Sequence, residues 1–143
     1  MEDNDKIVEI MLGMVHEEAK KLYSEKVIDY GVNPISYGIM KRPDGYAEIT
    51  GPCGDTVEMF LRVRHGKIEE TKFSTDGCIF TIAACSAASV MAQGKAIRDC
   101  LKINQGSILA HLEGMPEDHE HCALLAARTF HKALRNFIIN RKH

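Results

Sequence analysis

From Ile7 to Tyr30 the apolar positions Ile7, Ile10, Met11, Met14, Val15, Ala19 and Leu22 recur three and four residues apart, with Glu and Lys between them. That spacing gathers them on one face of a helix, so the segment predicts one helix or two. "YGVNP" ends the pattern, with Gly31 and Asn33-Pro34 as breakers. "ISYGIMKRPDGY" reads as a loop with a Pro-Asp-Gly turn, and "AEIT" as a short strand. Asp55 to Arg64 then alternates: Val57, Met59, Leu61 and Val63 take one face, Glu58, Arg62 and Arg64 the other, and Phe60 breaks the rule. The tight "HGK" link leads into "KIEETKFST", which predicts an antiparallel hairpin. Ile68 and Phe73 have opposite parity, so a bulge is expected between them.

"CIFTIAACSAASVMAQGK" is rich in alanine and almost free of charge, which predicts a central core helix opening at or near Cys78 and closing at Gly94. Shorter helices are expected over Lys95 to Cys100 and Ser107 to Leu112. A last helix runs from about Asp118 to Ile139, with Cys122, Leu125, Ala126, Thr129, Phe130, Ala133 and Phe137 on one stripe. The pattern contains no repeats, low-complexity tracts or linkers. It predicts an α+β domain, a small antiparallel sheet covered by helices.

The chain has 143 residues and 45% hydrophobic content, enough for one core without disulfide staples. Lys plus Arg number 18 against 20 for Asp plus Glu, a formal charge of −2, so nothing draws the chain to nucleic acid or to an anionic membrane. The opening "MEDNDKIVEI" is acidic, unlike a signal or transit peptide, and no apolar run approaches the roughly 18 residues of a membrane span. A cytoplasmic protein is the expectation. The five cysteines, at 53, 78, 85, 100 and 122, are odd in number and include no C-x-x-C pair. Free thiols or metal ligands are therefore favoured over disulfides, and any thiol site must be assembled by the fold.

Three cysteines fall at element boundaries: Cys53 in the loop "GPCGD", Cys78 where a strand hands over to a helix, and Cys122 at the start of the final helix. Backbone N–H groups and helix dipoles at such places favour the thiolate, which binds metals and attacks sulfur. Gly51 and Gly54 around Cys53 suit a loop that presents a sulfur and then moves. Asp55 either starts the strand or adds a hard oxygen ligand beside the soft sulfur. Cys85 and Cys100 read as packing residues. "EDHEHC" places His119, His121 and three carboxylates before Cys122. Taken alone this is an acidic first helical turn, but it leaves Cys122 unexplained, and imidazole beside thiol is a usable ligand pair. Histidines 16, 65, 111, 131 and 143 are scattered and receive no role.

In their order and spacing, "YSEKVIDYGVNP" (23–34), "GPCGDTVEMFLRV" (51–63), "KIEETKFSTDGCIFTIAACS" (67–86), "GK" (94–95) and "HCALLA" (121–126) resemble the IscU/NifU N-terminal family of iron–sulfur cluster assembly scaffolds. The resemblance implies a scaffold domain over 23–143, with three strands and several helices in the IscU/SufE-like manner, preceded by an extra N-terminal helix over 1–22. It implies Cys53, Asp55, Cys78, His121 and Cys122 as the residues that hold metal and cluster. It further implies sulfur received as persulfide from a cysteine desulfurase of the IscS/NifS type, and iron, with an iron donor or a ferredoxin as further partners. A [2Fe–2S] or [4Fe–4S] cluster would be held transiently and passed to apo-proteins, and zinc can occupy the same site. Such a protein is a carrier and not an enzyme.

The chain departs from the family in several places. "GMPEDHE" stands where many bacterial-type members carry a Leu-Pro-Pro-Val-Lys segment read by an Hsp70-type chaperone, so release by that route lacks its recognition segment. Ile79 occupies a position where a small residue is common, and 1–22 has no counterpart. Neither the C-terminal C-x-x-C domain of full-length NifU nor the long SufU-type insertion is present. Two other readings are a zinc-dependent, SufU-like protein that accepts persulfide without building a cluster, and a zinc hydrolase. His121 and the missing insertion argue against the first, and the second lacks a further catalytic base.

Overall fold

A serine cap opens the first helix of the computed structural model, which describes residues 24–141. The Ser24 hydroxyl accepts from the Val27 N–H at 3.1 Å, starting α1 (Glu25–Val32), and satisfies a donor that a helix N-terminus otherwise leaves unpaired. It also donates to the Leu112 carbonyl, fastening the start of α1 to a distant part of the chain. The expected helical segment over 1–22 lies outside the described residues. Gly31 is not the breaker that the sequence suggested, because α1 continues through it to Val32 and stops at Asn33. Its role is close packing, since a Cβ there would collide with the Ile79 side chain.

Strands β1 (Gly45–Thr50), β2 (Thr56–Arg64) and β3 (Lys67–Thr75) form an antiparallel sheet in the order β1-β2-β3. Val57, Met59 and Leu61 of β2 are buried together with Ala47, Ile68 and Phe73, as the alternation requires. Phe60 lies out of phase. It pairs in register with Tyr46, and the two rings meet at a centroid separation of 5.1 Å. The expected bulge is present: Val63 pairs with Ile68 and Arg62 with Glu70, leaving Glu69 as the extra residue that switches the parity. Within the expected loop before β1, Tyr37 bridges in parallel to Phe73 and covers part of the β3 edge.

Helix α2 (Ile79–Ala92) is buried on nearly every side, through Phe80, Thr81, Ala83, Ala84, Cys85, Ser86, Ala87, Ala88, Ser89 and Ala92. That matches its lack of charge. It ends at Gln93, with Gly94 just beyond at φ +77°. Then come α3 (Ile97–Cys100) and α4 (Gln105–His111), the latter opened by a reciprocal Asn104–Ser107 capping box. A 3₁₀ turn (Glu117–His119) feeds the long α5 (Glu120–Asn140). Its stripe of Cys122, Leu125, Ala126, Thr129, Phe130 and Ala133 is buried, while Phe137 is half-buried. Helix α5 packs on β1 and β2 and also against α2, which itself contacts α1 and β3. Among the described residues, three strands under five α-helices make the α+β arrangement anticipated from the sequence.

Cys85 and Cys100 are fully buried packing residues. Burial pushes the Cys85 thiol well above its ordinary range, and it raises Cys100 to about 11, with Asp99 adding to the shift. A thiol whose folded pKa is raised contributes stability that is complete below its unfolded pKa and is lost as pH rises through the folded one. Cys85→Ala removes that dependence. Urea unfolding should therefore show the stability difference between the native chain and Cys85→Ala moving against the native chain by roughly 1.5 kcal/mol between pH 8 and pH 10. A difference that stays constant would contradict the burial of this thiol.

Candidate metal centre

Cys78 is the N-cap of α2. Its backbone is extended (φ −78°, ψ 179°) and its sulfur makes no cap hydrogen bond, so the thiol is exposed and available. A 14-residue helix begins directly after this residue, so its unpaired backbone N–H groups lie beside the sulfur. Cys122 comes from the first turn of α5 and is buried, with 1% of its surface accessible. Cys78, Cys122 and His119 present ligand atoms that all lie within 4.8 Å of one another. Ligands of a tetrahedral zinc sit about 3.5–3.8 Å apart, given bonds of about 2.0–2.3 Å. Closing the set around an ion therefore needs side-chain rotation and no rearrangement of the fold.

The His119 ring is stacked on Phe80, with centroids 4.0 Å apart and an interplanar angle of 24°. The Asp118 carboxylate stands 3.9 Å from its Nε2. Helix phase explains why His119 joins Cys122. Residues three apart share a helix face, whereas neighbours are rotated by about 100°. His121, the histidine singled out by the resemblance, is exposed, and its Nε2 lies 3.7 Å from the Cys122 Sγ. It meets one thiol of the pair and is not in the three-ligand set.

Thr81 links the remaining residues. It is fully buried on α2, three residues after Cys78 and on the same face. Its hydroxyl lies 3.0 Å from Asp55 Oδ2, 3.4 Å from Cys122 Sγ and 3.9 Å from Cys78 Sγ. One hydroxyl carries one proton, so Thr81 donates to the carboxylate or to the sulfur, not to both at once. Gly77 makes this approach possible, because a Cβ there would come within 2.8 Å of Thr81 Oγ1 and 2.9 Å of Asp55 Oδ2. The sequence reading passed over Thr81 and gave His119 no part. The signal for both was spacing: Cys-x-x-Thr and His-x-x-Cys each place two residues on one helical face.

Cys53 sits exposed in the loop between β1 and β2. The loop is pinned at its base, where Gly51 N–H donates to the Asp55 carbonyl at 2.8 Å, and it turns at Gly54 with φ +92°. That conformation suits glycine and strains other residues. Gly51 faces Leu125 of α5, where an added Cβ would lie 3.2 Å from the leucine. Cys53 thus stands at the surface on a loop whose ends are fixed.

Cys122 does not follow the boundary argument made from the sequence. Burial pushes Cys122 up to about 11, opposed by the Thr81 hydrogen bond and assisted by Cys78 and Cys53 nearby. Desolvation outweighs the helix terminus at this depth.

Two thiols, an imidazole and a tethered carboxylate at the joined ends of two helices define a small metal-binding protein. The family model for the NifU-like N terminal domain matches residues 22–143, and the chain belongs to that family. It is 37% identical over 117 residues to the iron-sulfur cluster assembly scaffold protein IscU 1 of Archaeoglobus fulgidus, covering 81% of this chain and 76% of that one. To the IscU scaffold protein of Haemophilus influenzae it is 33% identical over 120 residues, covering 80% of this chain and 94% of the other. Among solved structures, the N-terminal NifU-like protein of Brucella abortus superposes with a TM-score of 0.68 at 16% identity, covering 80% and 93% of the two chains. A SufU chain of Fervidobacterium islandicum gives 0.67 at 22% identity, covering 78% and 96%. These structures establish a shared fold.

Metal binding through Cys122 displaces its proton, so affinity must rise with pH throughout the range below about 11. Competition titrations with zinc and a chromophoric chelator at pH 6.5, 7.5 and 8.5 should show about tenfold or more tighter binding per unit. Cys122→Ser should flatten the slope by about one proton. A slope unchanged in that variant would remove Cys122 from the ligand set.

Proposed function

We propose that the chain is an iron–sulfur cluster assembly scaffold: it accepts sulfur and iron, holds the cluster they form, and hands it to apo-proteins. The observation that carries this reading is the convergence of Cys78 and Cys122 with an imidazole, beside a tethered Asp55 and below an exposed Cys53. Membership of the NifU-like family and similarity to proteins named as IscU scaffolds support it. The donor set suits the cargo. Thiolates are the ordinary ligands of such clusters. Asp55 supplies an oxygen donor that holds iron less firmly than a fourth thiolate would.

Under this reading Cys53, Asp55, Cys78, His121 and Cys122 hold the cargo, of the [2Fe–2S] or [4Fe–4S] type. Sulfur arrives by thiol exchange. The Cys53 thiolate attacks the terminal sulfur of a persulfide on a cysteine desulfurase of the IscS/NifS type, the S–S bond of the donor breaks, and its thiolate leaves. The exchange involves no net oxidation. Turning that sulfur into sulfide takes two electrons, which an external donor of the ferredoxin class supplies, and iron comes from a separate donor. The chain carries cargo and does not turn over a substrate. It acts in the cytoplasm, and no helix of the described residues is long and apolar enough to cross a membrane.

Anaerobic incubation with ferrous iron, cysteine, a cysteine desulfurase and a dithiol reductant to supply the electrons tests the reading. The chain should colour, with visible charge-transfer absorption and stoichiometric iron and sulfide. Cys53→Ser should fail to accumulate the first persulfide by mass spectrometry, and Asp55→Ala should pass its cluster to an apo-ferredoxin several-fold more slowly. A chain that stays colourless while keeping one zinc would overturn the proposal in favour of a zinc-bound sulfur acceptor.

A further inference from the structure

The family pattern points to the histidine directly before the third cysteine, His121, but the geometry points to a different residue. We propose that His119 is the imidazole ligand for a single divalent ion, zinc or ferrous iron. It forms with Cys78 and Cys122 a three-ligand site from which Cys53 and His121 are left out. The inference rests on the scaffold reading only for its purpose; the site itself stands on the placement of these side chains.

Five observations carry it. The ligand atoms of Cys78, His119 and Cys122 already lie within 4.8 Å of one another, whereas His121 reaches a single thiol. His119 closes the 3₁₀ turn and caps α5, three residues before Cys122, so the two face the same way. His121 is exposed, and its contact with the site sulfurs is to Cys122. The His119 ring is held by stacking on the buried Phe80, two residues after Cys78 on the helix that also carries Thr81, so less rotamer freedom is lost when it binds. Two soft sulfurs and one borderline nitrogen match zinc and ferrous iron better than hard cations.

This arrangement separates two tasks. An ion held by Cys78, His119 and Cys122 leaves the exposed Cys53 free to collect sulfur. Asp55 waits one hydroxyl away, hydrogen-bonded to Thr81, which also lies next to both site sulfurs. The fourth coordination position is then open to that carboxylate, to water or to incoming sulfur. The His121 ring, 6.3 Å from that of His119, is near enough to replace it once a larger cargo fills the site.

The test uses metal alone, with neither desulfurase nor sulfide, so its result does not depend on whether clusters are built. Zinc affinity is measured by chelator competition under reducing conditions, and cobalt(II) serves as the spectroscopic probe. His119→Ala should weaken zinc binding by about tenfold or more and change the visible cobalt bands. His121→Ala should change affinity by less than about threefold and leave the cobalt spectrum as it was. Circular dichroism and melting of the metal-free variants control for folding. The unaltered chain gives a second measurement that needs no folded variant: on adding zinc, the imidazole ¹⁵N resonances of His119 should shift to metal-bound positions and those of His121 should not. A larger loss in His121→Ala than in His119→Ala, or zinc-induced shifts at His121 in place of His119, overturns the proposal. Failure of this test with successful cluster assembly would reject the ligand choice and leave the scaffold reading intact. The reverse result would do the opposite.

Discussion

The contact on which the site depends is the packing of α2 against α5. Cys78 and Cys122 are 44 residues apart in sequence, and each sits at the start of its helix. Only the docking of these helices brings the two sulfurs to one place. Alanine makes the approach possible: Ala83, Ala84, Ala87 and Ala88 of α2 and Ala123, Ala126 and Ala127 of α5 are all buried in the common core. Small side chains let backbones approach closely, and enlarging a buried one costs about 1–3 kcal/mol in strain or displacement. The thiol separation is thus set by core packing as much as by the site itself. The sheet contributes by giving α5 a surface to lie on, and its β1–β2 connection delivers Cys53 and Asp55 to the same end.

That geometry grades the thiols by depth. Cys122 is buried and disfavours ionisation, Cys78 is exposed at a helix N-terminus, and Cys53 is exposed on its loop. For the proposed scaffold this depth has a use: an innermost ligand that gives up a proton on binding and takes it back on release keeps the bound state from becoming too deep a minimum. Thr81 belongs to the same balance. Its single proton can favour the Asp55 carboxylate or the Cys122 sulfur, so the carboxylate is held near the metal position without a charged partner of its own.

Much of this was legible in the sequence, for reasons that differ from element to element. The alternation of β2 and the charge-free run of α2 are direct imprints of burial, and both appear as expected. The parity conflict between Ile68 and Phe73 located the Glu69 bulge because a period of two tolerates no other solution. Gly31 was misread as a stop because composition cannot tell a glycine that ends a helix from one that admits a neighbour, here Ile79. The first two site thiols could be found from their boundary positions and motifs. The depth of Cys122 could not, since it depends on what α2 lays over it, and so its pKa moved opposite to the boundary argument. Thr81 and His119 were hidden for a related reason. The spacing of three that joins each of them to a cysteine becomes meaningful only once the helical phase and the facing surface are known.

The segment "GMPEDHE" before the third site cysteine orders the start of α5. Pro116 serves as N-cap of the 3₁₀ turn, and its carbonyl accepts from the His119 N–H at 2.8 Å. The turn therefore fixes the backbone of His119 before α5 begins, and Phe80 fixes its ring from the opposite helix. A flexible loop at this point would leave the imidazole free to sample solvent, and its order would have to be imposed on binding. With the turn and the stacking contact in place, much of that ordering is completed on folding. The same packing of α2 against α5 that sets the thiol separation also supplies Phe80, so the imidazole and the two sulfurs are positioned by one interface.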